Sequence, residues 1–306
     1  MRDSLLVVGA GGFIGKRLTE ALLDAGHRVI ASSRTPAGLQ HLHLEWADAL
    51  ASREDFLRAL PRAHTVVHLA TSSTPGSSFG KPLEELDNLV PTLSLLQALQ
   101  DHPNVKLVYV SSGGTLYTRP SDFSATEDTQ TQSRSYHGAG KAAAEHFIEA
   151  WCLQHGGSAT ILRPSNVYGP GQLPKAGFGV IANGFEKIRR QDPIQIWGDG
   201  TATRDYLYID DFIDLCMRVV SEHAELGFDV LNAASGVGVS LNQLMEAMEE
   251  VTGKALIREF RERRPLDASH VVIDASKARL RYGWSATTPL KTGLGRTWNW
   301  LSTLHP

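Results

Sequence analysis

The sequence predicts an α/β protein built on a doubly wound parallel sheet, with a smaller, interleaved C-terminal region. Two observations predict it. Short apolar runs alternate with helical repeats through the first half of the 306 residues, and a glycine-rich turn joins the first apolar run to the first helix. Strands covered on both faces read as continuous apolar runs, and the helices between them supply the cover.

Leu5-Leu6-Val7-Val8 is the first such run. Ile14, Leu18, Ala21, Leu22 and Ala25 then recur at helical spacing, and Gly26 ends that helix. Val29-Ile30-Ala31, residues 66–70, residues 107–110 and residues 160–163 read as further strands. Helices are expected near 53–60, 83–99 and 138–153. Beyond Pro164 the alternation loosens. Residues 169–179 are rich in glycine and proline and read as a loop, followed by a helix at 180–190 and a strand at 194–197. A turn at 198–200, a strand near 206–209, a helix at 211–221 and a strand at 229–232 come next. Helices at 240–252 and 290–301 close the chain, and no internal repeat or long linker is present.

Composition narrows the class. The formal net charge is −3 and no basic run stands out, so neither nucleic acid nor an anionic membrane is expected as a partner. No stretch approaches the roughly 20 apolar residues of a membrane span. Met1-Arg2-Asp3-Ser4 runs into the first strand without a signal-peptide pattern. Cys152 and Cys216 lie far apart in helical contexts and read as buried free thiols of a reducing compartment. A cytoplasmic protein is expected. The histidines are scattered, and no metal-ligand spacing occurs.

Gly9-Ala10-Gly11-Gly12-Phe13-Ile14-Gly15 lies between a strand and a helix. A dinucleotide pyrophosphate needs a tight turn, close backbone approach and a helix N-terminus, which is the logic of the Rossmann fold. That context makes Gly9, Gly12, Phe13, Ile14 and Gly15 cofactor-binding candidates. An NAD site of this kind ends its second strand on a carboxylate for the ribose 2′-hydroxyl. Here Ser32-Ser33-Arg34 stands at that place. Arg34 can pair with a 2′-phosphate and Ser33 can donate to it, which favours NADP over NAD. Residues 1–164 with 204–231 are expected to form the dinucleotide-binding domain, and 165–203 with 232–306 the smaller substrate-binding region.

The spacing of Gly9, Gly12 and Gly15 resembles the fingerprint of the short-chain dehydrogenase/reductase superfamily. Later segments resemble its extended, nucleotide-sugar branch, the NAD-dependent epimerase/dehydratase family typified by UDP-glucose 4-epimerases. The resemblance implies that Asp48 contacts adenine, that the segment with Leu69 and Ala70 lies beside the cofactor, and that Asn88 is structural. Ser135-Tyr136-His137-Gly138-Ala139-Gly140-Lys141 resembles the family's Ser-Pro-Tyr-Gly-Ala-Ser-Lys. There the Lys lowers the phenol pKa and holds the nicotinamide ribose, while the Tyr moves the proton of a sugar hydroxyl. Aligned on Lys141, the usual Tyr is His137. Residues four apart on a helix lie about 40° apart around its axis and five apart about 140°, so His137 shares a face with Lys141 more easily than Tyr136 does. Three readings stay open: His137 is the acid–base group, Tyr136 reaches in from its shifted place, or the site binds without turnover. The usual catalytic hydroxyl falls on Gly113, leaving Ser112 or Thr115 to supply it.

Residues 163–171, Arg-Pro-Ser-Asn-Val-Tyr-Gly-Pro-Gly, also resemble the nucleotide-sugar branch. So do residues 198–206, and Arg264-Pro265-Leu266-Asp267 resembles Arg-Pro-Gly-Asp. The resemblance implies that Asn166, Arg204 and Arg264 hold a diphosphate and Asp267 the nucleotide ribose. A nucleoside-diphosphate sugar is the implied substrate, with epimerase or dehydratase chemistry first and a ketosugar reductase second. A homodimer is implied through the helices at 83–99 and 138–153, which carry Leu86, Leu89, Leu93, Leu96, Phe147 and Trp151.

Overall fold

The computed structural model describes residues 4–36, 38–117, 124–175, 177–222, 227–263 and 268–304. Strand β1 (Ser4–Val8) leads into α1 (Phe13–Asp24), β2 (Arg28–Ser32), β3 (Leu44–Ala47) and α2 (Arg53–Ala59). A 3-10 turn, Leu60–Arg62, precedes β4 (Thr65–His68), and a second, Pro82–Glu85, opens onto α3 (Leu86–Leu99). There follow β5 (Lys106–Val110), the short α4 (Gly113–Leu116), α5 (Tyr136–His155), β6 (Ser158–Pro164) and β7 (Asn166–Tyr168). Next come α6 (Val180–Arg190), β8 (Ile194–Trp197), β9 (Thr203–Tyr208), α7 (Ile209–Ser221), β10 (Gly227–Ala233) and β11 (Gly238–Ser240). The last elements are α8 (Leu241–Thr252), β12 (Arg258–Arg261), β13 (His270–Val271), α9 (Ser276–Tyr282) and α10 (Leu290–Leu304).

Seven strands form one sheet in the order β10-β6-β5-β4-β1-β2-β3. The pairings β2–β3, β1–β2, β1–β4, β4–β5 and β5–β6 are all parallel. The order reverses at β1, as in a Rossmann sheet, where ligands bind beyond the carboxyl ends of the strands. The central strands are buried apart from half-buried Ser4, as their mostly apolar sequences require. Leu95, Leu99, Ile148 and Trp151 bring α3 and α5 into the same core as Leu6, Val66 and Leu107 of the sheet.

The chain divides into two compact units. The first comprises residues 1–112, 135–163 and 213–231, and the second 113–134, 164–212 and 232–306. Apart from Pro164 at a boundary, this differs from the expected division in two segments, 113–134 and 204–212. Both are tied to the second unit by hydrogen bonds. Tyr117 Oη donates to Asn232 Oδ1 at 3.0 Å, and Ala125 N–H donates to the Val272 carbonyl at 2.9 Å. β9 pairs with β7, β11 and β13. Within the second unit, buried Asp205 accepts from Ser165 Oγ, from the N–H and Oγ of Ser235, and from Gly236 N–H. Buried Trp284 donates to the Asp211 carbonyl at 2.9 Å.

Several boundaries differ from the sequence reading. α5 starts at Tyr136, two residues before the expected 138, because Ser135 serves as N-cap and its hydroxyl accepts from Gly138 N–H at 3.1 Å. The helix expected from residue 83 is 3-10 through Glu85 and becomes α-helical at Leu86. β9 spans Thr203–Tyr208, and Ile209 already belongs to α7. Both cysteines are free and buried. No helix among the described residues is long and apolar enough to cross a membrane.

Candidate active site

Gly9 turns the chain at φ +95° at the end of β1, where a Cβ would lie 2.7 Å from the Ala70 nitrogen. A Cβ on Gly15 would collide with the carbonyl oxygen of Gly9. Gly12 is the N-cap of α1, and no side chain caps the helix. The first-turn N–H groups of α1 therefore have no side-chain cap, at the positive end of the helix dipole. A bare backbone turn beside such donors fits a dinucleotide pyrophosphate. Ser32 Oγ donates to the Asp48 carbonyl at 2.9 Å and so ties the end of β2 to the segment after β3. Ser33 Oγ donates within its own loop, to the Thr35 carbonyl at 2.9 Å. Arg34 and the Asp48 side chain are exposed, Leu69 and Ala70 are half-buried, and residues 32–36 contain no carboxylate.

Helix α5 carries the second group of candidates. His137 and Lys141 are both buried on one face, at 7% and 6% exposure, while Tyr136 in the first turn is 46% exposed. The Ser135 cap sets this phase. Lys141 Nζ donates to the Val110 carbonyl at the end of β5, at 2.9 Å, and lies 4.7 Å from the centre of the Tyr109 ring. Burial pulls its pKa down to about 8, against the opposing charges of Glu145 and Glu85. His137 Nδ1 lies 2.9 Å from Ser73 Oγ, which donates to Glu85 Oε2 at 3.0 Å. Burial first, and the Lys141 charge second, pull the His137 pKa down to about 4. Glu85 approaches this closely because residue 140 is glycine: a Cβ there would lie 2.9 Å from Glu85 Oε2. Asn88 Nδ2 donates to Ser73 Oγ and Glu85 Oε2. Behind them, His68 Nε2 meets Thr92 Oγ1 at 3.1 Å, and burial holds His68 at a pKa of about 3. Glu145, one turn beyond Lys141, is clamped by Arg163 of β6 through Nε at 3.2 Å and Nη2 at 2.6 Å, all of it buried.

The other candidates are placed separately. Ser112 is half-buried at the end of a segment of the first unit, and Thr115 is half-buried in α4 of the second. In the second unit, Asn166 Nδ2 donates to the Asp205 carbonyl at 2.8 Å, and a Cβ on Gly114 would lie 3.6 Å from Asn166 Oδ1. Arg204 is half-buried, with Nη1 on the Thr203 carbonyl at 2.9 Å. Arg264 and Asp267 lie outside the described residues.

Comparison with known proteins gives the family. The sequence profile of the NAD dependent epimerase/dehydratase family matches residues 5–234. The chain belongs to this family. A UDP-glucose 4-epimerase of Mycolicibacterium smegmatis is 31% identical over 303 residues, covering 95% of this chain and 96% of its own. The structure of a Thermotoga maritima UDP-glucose 4-epimerase with UDP-glucose superposes with a TM-score of 0.91 at 27% identity, over 99% of this chain and 100% of that one. MoeE5 in complex with UDP-glucose and NAD gives a TM-score of 0.90 at 28% identity, again over 99% and 100%.

For an epimerase/dehydratase, the groups around His137 are those the sequence reading passed over. Ser73, Glu85 and the Glu145–Arg163 pair received no role there. Glu145 carried a signal, since it falls four residues after Lys141 and so on the same helical face. Ser73 and Glu85 carried none: they are 12 residues apart and meet only through the fold.

The two buried histidines give the family member an acid sensitivity. Both are neutral in the folded chain, at pKa values of about 4 and about 3, whereas in the unfolded chain they protonate near 6.5. Their contribution is complete above pH 6.5 and is lost as pH falls from there toward 4. Each histidine is expected to remove about 2 kcal/mol of stability by pH 5. Urea midpoints measured at pH 7.5 and 5 check this, and His137→Gln is expected to shrink the difference.

Proposed function

We propose that this chain interconverts or dehydrates nucleoside-diphosphate sugars, UDP-sugars first, with NAD(P) and with His137 in the acid–base role. The observation that carries the reading is the burial of His137 and Lys141 together on one face of α5, with Lys141 anchored at the end of β5. The dinucleotide, when bound, accepts hydride from a sugar carbon and can return it. The glycine turn and the first-turn N–H groups of α1 bind its pyrophosphate. Lys141, protonated below about pH 8, presents a cation where the nicotinamide ribose is expected. His137, neutral above about pH 4, takes the proton of the sugar hydroxyl as hydride departs. Ser112 or Thr115 supplies the accompanying hydroxyl. Asn166 and Arg204, with Arg264 and Asp267, hold the sugar nucleotide. Exposed Tyr136 has no part in proton transfer.

At the ribose end, Arg34 is exposed and no carboxylate stands among residues 32–36, which supports acceptance of a 2′-phosphate and hence of NADP. Exposed apolar side chains on α3 and α5, Leu86, Val90 and Phe147, support a homodimer through these helices. Leu96 and Trp151, expected on the same helices, are buried in the core of the first unit.

Purified protein incubated with UDP-, dTDP-, GDP- and CDP-sugars, with NAD or NADP, is expected to yield a new sugar detectable by NMR. Lys141→Met, which keeps the packing, is expected to lower the rate by about 100-fold or more. No product from any sugar, despite measurable binding, sinks the assignment. The rate is expected to fall off below about pH 4 and above about pH 8, the values at which His137 gains and Lys141 loses a proton. Calorimetry is expected to show NADP bound more tightly than NAD, and Arg34→Ala to reverse the order. Phe147→Glu is expected to halve the mass seen by light scattering.

A further inference from the structure

His137 is surrounded by groups whose hydrogens can be counted. Asn88 is oriented first: its Oδ1 accepts from Ser72 N–H at 2.6 Å, so its amide nitrogen must donate. It donates to Ser73 Oγ at 2.7 Å and to Glu85 Oε2 at 2.9 Å. A carboxylate only accepts, so the single hydroxyl hydrogen of Ser73 goes to Glu85 Oε2, 3.0 Å away. Ser73 Oγ then has only a lone pair left for His137 Nδ1, 2.9 Å away. The shared hydrogen must come from the imidazole. Among the described residues Nε2 has no hydrogen-bond partner, and it is not one of the buried unpartnered atoms, so it lies at the edge of the ring that still reaches solvent.

We propose that Glu85, acting through Ser73, is a positioning residue that fixes His137 as the Nδ1–H tautomer and leaves Nε2 as the nitrogen that receives the substrate proton. This rests on the reading of His137 as the acid–base group. In the step itself, the hydroxyl O–H bond breaks and an N–H bond forms at Nε2. The C–H electron pair leaves as hydride to the nicotinamide, which is reduced as the alcohol carbon is oxidised. The imidazolium so formed keeps its Nδ1–H toward Ser73, and Glu85 Oε2 lies 3.9 Å from Nδ1. The Glu85 carboxylate favours that cation, and the Lys141 ammonium opposes it. Lys141 and Glu85 also line one small cavity of about 10 Å³, with Tyr109 and Asn88. The carboxylate thus lies beside both His137 and the Lys141 charge that opposes its protonation. Gly140 is the residue that permits this approach.

The test reads the resting protein by NMR of the full chain labelled with ¹⁵N-histidine, with His137→Gln for assignment. Wild type is expected to show His137 protonated at Nδ1. In Glu85→Leu Ser73 loses its acceptor, its hydrogen turns to Nδ1, and the imidazole proton is expected to move to Nε2. Ser73→Ala is expected to mix the two tautomers. Both variants are expected to lose about tenfold or more in kcat with KM within about twofold, and in Glu85→Leu the acidic limb of the rate moves to lower pH. A merely structural role predicts lower melting temperatures with the tautomer unchanged. Wild-type His137 protonated at Nε2 overturns the proposal without any variant, as does an unchanged tautomer in both folded variants. A tautomer that switches as expected in a protein that turns over no sugar upholds the positioning by Glu85. In that case it is the acid–base assignment of His137 that fails.

Discussion

The buried ammonium of Lys141 is the constraint to which the rest of this site answers. A lysine head removed from water costs several kcal/mol unless charge or dipoles replace its hydration. Three features of the first unit replace it. The Val110 carbonyl accepts from it, the Tyr109 ring presents its face, and the carboxylates of Glu85 and Glu145 stand near enough to support the charge. Glu145 is itself buried and is matched by Arg163 across to β6. Each charge therefore depends on the next, and the series runs from a sheet strand through α5 to the 3-10 turn before α3.

The parallel sheet makes this arrangement possible. Every strand of a parallel sheet ends on the same side, so the carboxyl ends of β1, β4 and β5 converge on one edge. β1 ends in the glycine turn, β4 runs into Leu69 and Ala70, and β5 ends at the carbonyl that anchors Lys141. Gly9 and Ala70 touch so closely that no side chain fits between them. Helix α5 enters this edge in a fixed phase because Ser135 caps it, and that phase buries His137 and exposes Tyr136.

An imidazole in the acid–base role proposed for His137 asks more of its surroundings than a phenol would. A phenol has one proton-bearing atom, whereas an imidazole has two, and a neutral imidazole must be told which one to use. The loop after β4 supplies Ser73, and the turn before α3 supplies Glu85. Glycine at position 140 clears the space in which they meet. Residues 137 and 140 thus belong to one connected arrangement.

Much of this protein was legible in its sequence. The alternation of apolar runs and helical repeats determined the parallel α/β sheet, and the glycines from Gly9 to Gly15 determined the tight, uncapped entry into α1, because strand burial and close backbone approach impose local patterns. The pairing of His137 with Lys141 also followed from helical spacing alone. The start of α5 at Tyr136 and the membership of 113–134 in the second unit did not, since a cap and a few long-range hydrogen bonds decided them. Nor did the meeting of Ser73, Glu85 and His137. Those residues are separated by up to 64 positions and come within 3.0 Å only because β4, α3 and α5 pack together. Sequence periodicity reports which face a residue takes within its own element. Which side chain it meets on another element is set by packing, and only the tertiary structure decided that.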